Sequence, residues 1–223
     1  MKIRKGLPGG QYKAISEEDI IKIHETSLKV FAEVGVKVKF PEALELFEKN
    51  GAKVDKDNRV VKISPEMITE WIQKAPSTIY LCGREENGSL DCEIGGNNVY
   101  FGTGGTALNV QESGSKDARR SKLEDIVNMA RLVDALDNIH FYMLNVYPND
   151  LTEKDVDVNR FGAALNRTRK HVMGGVYTVG GVRNVIKMAE FIAGSPEKLR
   201  DRPFISMVTC VISPLTLDET YAQ

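Results

Sequence analysis

The sequence predicts an α/β chain in two parts: a mixed α+β segment over residues 1–112, and an alternating helix–strand segment over residues 113–223. Three observations carry this. Apolar residues at helical spacing, bounded by cap residues, mark helices in the first 75 residues. From Thr78 to Gln111, short β-prone runs are punctuated by Gly and Asn. After Ser113, helices and strands alternate, which is the pattern of crossover connections in a parallel sheet. That alternation alone fits a doubly wound sheet and a barrel equally well.

Residues 1–13 carry Gly, Pro and Lys and read as an extended leader. Ser16 opens a helix with Glu17, Glu18 and Asp19 in its first turn, where carboxylates meet the positive end of the dipole. Ile20, Leu28, Phe31 and Val34 share one face, and Gly35 ends the helix. Pro41 begins a second helix that stops at Asn50-Gly51. Asp55-Lys56-Asp57-Asn58 turns a small hairpin between Ala52–Val54 and Val60–Ile63. Ser64-Pro65 starts a third helix as N-cap and N1.

Short strands follow at Thr78–Leu81, Leu90–Ile94, Val99–Phe101 and Ala107–Val110. Ser121-Lys122-Leu123-Glu124 then reads as a capping box, with Leu123, Ile126, Val127, Ala130, Val133 and Leu136 on one helix face. The remainder reads as strand 139–146, helix 153–168, strand 171–177, helix 182–193 and strand 204–212. Thr216-Leu217-Asp218-Glu219 reads as a further capping box opening a last helix. Three strand units are present, and no repeat of solenoid period is seen.

Hydrophobic residues make up 42% and charged residues 27% of 223, enough apolar content for a sizeable core and too much for a disordered chain. A net charge of −1 gives no global pull toward nucleic acid or an anionic membrane. Met1-Lys2-Ile3-Arg4-Lys5-Gly6 is not followed by an apolar signal region. No run approaches the roughly 18 apolar residues of a membrane span. A cytoplasmic protein is expected, with neither nucleic-acid nor membrane partners. Cys82, Cys92 and Cys210 are an odd count, which argues against a disulfide framework.

The Gly102-Thr103-Gly104-Gly105 run lacks the spacing and following helix of a phosphate loop. It reads as a turn that uses Gly for positive φ, or as backbone that must approach a ligand closely. The C-terminal ends of the predicted strands present Asn145, Tyr147 and Asn149, then Gly174, Gly175, Tyr177 and Thr178, then Cys210 and Ser213. Amide and phenol groups there suit a carboxylate or amide, and a Tyr face suits a quaternary ammonium. Asn149 and Ser213 also read as turn residues beside Pro148 and Pro214. His24 lies near the apolar face of the first helix, and His140 and His171 sit at strand starts, all three with structural roles. No metal-ligand spacing and no nucleophile elbow occur.

Several segments resemble the trimethylamine methyltransferase family of corrinoid-dependent enzymes, which includes glycine betaine-type members. They are Tyr100–Gly105, Leu123–Asp137 with Ile139-His140-Phe141, Asn166–Val172, and Arg202–Ile205 through Ser213-Pro214-Leu215. The resemblance runs over about residues 15–223 in order and spacing. It implies the N-terminal part of a (β/α)8 TIM barrel preceded by an α+β extension, the barrel being incomplete in this chain. It further implies transfer of a methyl group from a methylated amine, quaternary by expectation, to the Co(I) corrinoid (cobalamin) of a separate corrinoid protein. The chain would bind no cofactor or metal itself, and it lacks an Asp-x-His-x-x-Gly cobalamin ligand motif. On this reading the substrate wall comprises Gly102, Thr103, Gly105, Asn145, Tyr147, Gly175, Tyr177 and Cys210. Direct displacement needs no general base. A homo-oligomer is compatible with this reading. Alternatives are another barrel enzyme acting on a small carbonyl or phosphate substrate, or a truncated non-catalytic fragment. An edge strand at 204–212 predicts self-association of the isolated chain.

Overall fold

The computed structural model describes residues 4–211 and 213–218. The chain forms two compact units, Met1–Gly9 with Thr78–Val208, and Gly10–Ser77 with Thr209–Gln223. The leader contributes β1 (Leu7–Pro8), which pairs antiparallel with Asn98–Val99 in the first of these units.

The unit built from Gly10–Ser77 and Thr209–Gln223 holds α1 (Glu17–Lys29), β2 (Val36–Val38), α2 (Pro41–Lys49), β3 (Lys53–Asp55), β4 (Val60–Lys62) and α3 (Pro65–Lys74). Ser16 caps α1 as expected: its hydroxyl accepts the Asp19 N–H at 3.1 Å, and the Asp19 carboxylate accepts the Ser16 N–H. A π-helical turn, Val30–Val34, follows α1 before Gly35 at φ 84°. The expected hairpin is β3–β4, and Asp55 accepts from both the backbone and the side chain of Asn58. Val38, Leu44, Ala52 and Val61 form the core of this unit.

Two expectations fail in this unit. Thr216–Leu217 is not the start of a helix. It is a strand parallel to β2, because the Lys37 and Lys39 N–H groups donate to Leu215 O and Leu217 O at 2.9 and 3.0 Å. Those bonds satisfy an edge of β2 that local cap chemistry cannot see. Glu219 and the rest of that expected helix lie outside the described residues. The apolar face assigned to the first helix is not a core face either. No residue of α1 is buried, and Ile20, Val34 and His24 are exposed, because α2 and the sheet close the small core without α1.

The larger unit continues with β5 (Thr78–Leu81), β6 (Cys92–Gly95), β7 (Asn98–Val99), β8 (Asn109–Gln111), β9 (Ala118–Arg120), α4 (Leu123–Ala135), β10 (Tyr142–Met143), α5 (Glu153–Leu165), β11 (Val172–Gly175), α6 (Val179–Ala193), α7 (Pro196–Asp201) and β12 (Ile205–Val208). β10, β11 and β12 are parallel and lie side by side in chain order, with Met143 opposite Met173 and Met173 opposite Ser206. Ile126 and Ala130 of α4, Phe161 and Ala164 of α5, and Val185 and Ala189 of α6 cover the sheet and share one core with Tyr142, Leu144 and Val172. This is the predicted α/β alternation. Among the described residues it makes an open three-stranded parallel sheet, and no barrel closes. No described helix is long and apolar enough to cross a membrane.

Sequence and structure differ at several points in this unit. The expected boundary at 112/113 falls inside the β8–β9 hairpin. The Gly-rich segment before it also belongs with the parallel strands: Gly102 bridges Phe141 and Ala107 bridges Val146, both in parallel. Ser121 does not cap α4. It is fully buried and donates to Tyr147 O, while Asp125 accepts the Lys122 N–H at 2.8 Å in the capping position one residue later. α7 was not expected, although Ser195-Pro196 repeats the Ser-Pro signal of α3, and the Ser195 hydroxyl accepts the Lys198 N–H at 3.2 Å.

Candidate active site

Three parallel lanes place the expected site residues side by side. The first is the irregular segment 101–107, the second runs from Phe141 through β10 to Tyr147, and the third runs through β11 to Tyr177. The Ala107 N–H donates to Asn145 O at 2.8 Å and the Tyr147 N–H donates to Ala107 O at 2.9 Å, which locks the first lane to the second. The Thr103 hydroxyl donates to Met143 O. Gly102, Thr103, Asn145, Tyr147, Gly175 and Tyr177 therefore belong to one continuous surface.

The glycines of the first lane act differently from the turn expected of them. None of Gly102, Gly104 and Gly105 has positive φ. Gly102 is needed for close approach, since a Cβ there would lie 2.3 Å from the Phe141 ring. Gly104 and Gly105 border open space and are exposed. Cys210 lies beyond the strand that was expected to carry it. β12 ends at Val208, short of the expected Ile212, which lies outside the described residues, and exposed Cys210 belongs to the other unit.

At the C-terminal ends of the second and third lanes, Tyr147 and Tyr177 meet edge to face, with ring centroids 5.4 Å apart and planes at 79°. Both are partly exposed. Asn145 Oδ1 accepts from the Tyr142 hydroxyl at 2.8 Å, so this amide is oriented from below. Asn149 is a loop knot: its amide donates to Leu108 O and to Ser121 O. Burial pushes the Tyr142 phenol well above its usual range, so it stays a neutral donor.

Charges beneath this surface come from α5, and sequence reasoning missed them. Arg160, 0% exposed, donates to Gly175 O at 3.3 Å, Thr106 Oγ1 at 3.2 Å and Leu144 O at 3.3 Å. Its guanidinium lies 5.3 Å from the Tyr177 ring centroid. Asp157 accepts the Tyr177 and Thr178 N–H groups at 3.1 and 3.2 Å, and the Thr178 hydroxyl as well. This carboxylate occupies the N-terminus of α6, so that end does not recruit an anionic ligand. The available signal was that Asp157 and Arg160 fall between Val156 and Phe161 on the buried stripe of the helix.

His140 and His171 are structural, whereas His24 is exposed on α1. His171 is buried, its Nδ1 lies 3.1 Å from Cys82 O, and its Nε2 lies 2.8 Å from the Ser206 hydroxyl. A neutral ring that donates to the carbonyl and accepts from Ser206 satisfies both contacts. Burial pushes its pKa down to about 4. His140 Nδ1 accepts the Phe101 N–H at 3.0 Å. Cys82 and Cys92 are buried thiols, Cys92 being pushed up to about 11 by burial, which leaves neither as a thiolate nucleophile. The surface thus offers aromatic faces, an amide and backbone carbonyls, which suit binding and orienting a small cation.

The known proteins that this chain resembles agree with one another. A family model described as trimethylamine methyltransferase matches residues 2–223. A trimethylamine methyltransferase of Desulfitobacterium hafniense is 36% identical over 202 residues, 91% of this chain and 40% of that protein. One from Methanosarcina mazei is 30% identical across 97% of this chain and 44% of its own length. A glycine betaine methyltransferase of Desulfitobacterium hafniense is 25% identical across 94% of this chain and 43% of its own length. The chain therefore spans less than half the length of these curated relatives. With a family model matched over almost every residue, the chain belongs to the trimethylamine methyltransferase family.

Proposed function

We propose that this chain forms the N-terminal part of a (β/α)8 barrel whose full-length protein takes a methyl group from a quaternary amine and passes it to the corrinoid of a separate protein. The observation that carries the reading is the Tyr147–Tyr177 pair at the C-terminal ends of adjacent parallel strands, where barrel enzymes place their sites. Cations are attracted to aromatic faces, and both rings are partly exposed, the Tyr177 ring already lying against the Arg160 guanidinium. The family's relatives named for trimethylamine and glycine betaine support a methylated amine as substrate.

The reduced corrinoid, when docked, supplies the nucleophile that accepts the methyl group. This chain's residues bind and orient the amine and exclude water. The carbon–nitrogen bond breaks with its electron pair passing to nitrogen, so a neutral tertiary amine leaves and no proton is moved. That stoichiometry fits a site without a general base. The corrinoid's place on the partner protein is part of this proposal. His171 spends both ring nitrogens inside the fold and so does not serve as a metal ligand.

The full-length protein, mixed with a quaternary amine and a reduced corrinoid protein, is expected to release the demethylated amine and change the corrinoid absorption spectrum. Unchanged spectra with every methylated amine tried would overturn the reading. Tyr177→Ala and Tyr147→Ala are each expected to raise KM for the amine about fivefold, the scale of one exposed cation–π contact.

A further inference from the structure

We infer that Arg160 and Asp157 are positioning residues that hold the amine-binding wall in register from behind. The inference rests on the functional reading above for its catalytic consequence, and on geometry for the clamp itself. Both side chains leave α5 one turn apart and are buried, at 0% and 1% exposure. Their described hydrogen bonds all go to the C-terminal side of the parallel lanes. Arg160 reaches Thr106 in the first lane, Leu144 O in the second and Gly175 O in the third. Asp157 takes the backbone N–H groups of Tyr177 and Thr178. Each of these contacts adjoins or includes a residue of the wall: Gly105, Asn145, Gly175 and Tyr177.

A purely structural role explains this arrangement poorly. Val156, Phe161 and Ala164 on the same helix face are apolar, and an apolar residue at 157 or 160 would avoid burying a charge. Arg160 Nε is buried without a partner, so the guanidinium is not seated where its own hydrogen bonding is best. Gly181 is shaped around the same group. A Cβ there would lie 1.9 Å from Asp157 Oδ2, so the carboxylate reaches the start of α6 only past a glycine. The contacts are to main-chain atoms almost throughout, and they fix where the lanes lie rather than which side chain they carry. Tyr177 is held twice, by its N–H through Asp157 and by its ring over Arg160.

The experiment uses the full-length protein and the variants Arg160→Lys and Asp157→Asn. Displacing the wall is expected to lower kcat/KM for the amine about 100-fold, since a misplacement of about 1 Å costs that much. The loss should fall on KM for the amine and on kcat, while KM for the corrinoid protein stays at the wild-type value. Val133→Ala, a core substitution at the carbonyl end of α4 where Lys170 caps that helix, should lower the melting temperature and leave KM for the amine unchanged. If Arg160→Lys does not fold, Thr106→Val removes the hydroxyl that accepts from Arg160 and donates to Leu144 O, and should raise the same KM about threefold, less than one full cation–π contact. Wild-type KM values in the folded variants, or losses that only track the folded fraction as in Val133→Ala, would overturn the inference. Amide hydrogen exchange supplies a readout independent of turnover. In Asp157→Asn, the Tyr177 and Thr178 amides should exchange faster while Val172 and Met173 do not. Should the wild type turn over no methylated amine, the functional reading fails, and this exchange pattern still decides the clamp; unchanged exchange overturns it.

Discussion

Lys170 and His171 are neighbours at the start of β11, and both show how a buried polar side chain is made acceptable. Lys170 donates to Val133 O, Leu136 O and Ile139 O, capping the carbonyl end of α4 with a cation that suits the dipole. Arg84 does the same for α5 through Leu165 O and Thr168 O. His171 instead stays neutral, because burial holds its pKa near about 4 against an ordinary 6.5. Between those values the unfolded chain binds a proton that the folded chain does not. Stability therefore rises with pH through that window and falls by about 3 kcal/mol in all as pH drops from 6.5 to 4. Urea unfolding at a series of pH values should show this limb, and His171→Gln should flatten it. An equal slope in the two proteins would show that His171 is not the group responsible. The sequence placed His140 and His171 at strand starts with structural roles. It could not identify Cys82 O or the Ser206 hydroxyl as partners, since both are remote in the chain.

Among the elements, those with local signals were legible and those with distant partners were not. α3 begins where Ser64-Pro65 says it should, and the Ser64 hydroxyl accepts the Met67 N–H at 3.2 Å. Ser64→Ala is expected to destabilise its unit by about 1 kcal/mol in urea denaturation, the usual worth of an N-cap. A change below about 0.3 kcal/mol would mean that water replaces the cap at no cost, below the low end of measured caps. Thr216–Leu217 shows the opposite case. Its Thr-x-x-Glu pattern is a sound helix start by local rules, yet β2 offers unpaired N–H groups and the segment becomes a strand. In the Gly102–Gly105 run it is the positive-φ turn that fails, since Gly102, Gly104 and Gly105 have no positive φ. Its glycines serve the approach to Phe141 and an open loop, and the lane it forms beside β10 is a tertiary fact.

For the whole molecule, β12 has β11 on one side only among the described strands. Ile20, Ile21, Trp71 and Phe191 are among its exposed large apolar side chains, and a net charge of −1 gives little repulsion between copies. The 223-residue chain alone is expected to self-associate, as an open strand edge and apolar faces promote. Sedimentation velocity should show species larger than 24.8 kDa that grow with concentration. A monodisperse monomer would count against this expectation.

By itself the sequence determined the α/β alternation, most helix starts, the structural roles of His140 and His171, and the family, because periodicity, caps and family resemblance are written in the order of residues along the chain. It also named Asn145, Tyr147, Gly175 and Tyr177, which follow from strand ends alone. Only the tertiary structure decided that segment 101–107 joins the parallel lanes, that Cys210 belongs to the other unit, and that Arg160 and Asp157 bond the backbone of Gly175 and Tyr177. The physical reason is the same in each case. A hydrogen bond between distant residues depends on which backbone groups remain unpaired once the sheet has formed, and no local pattern records that.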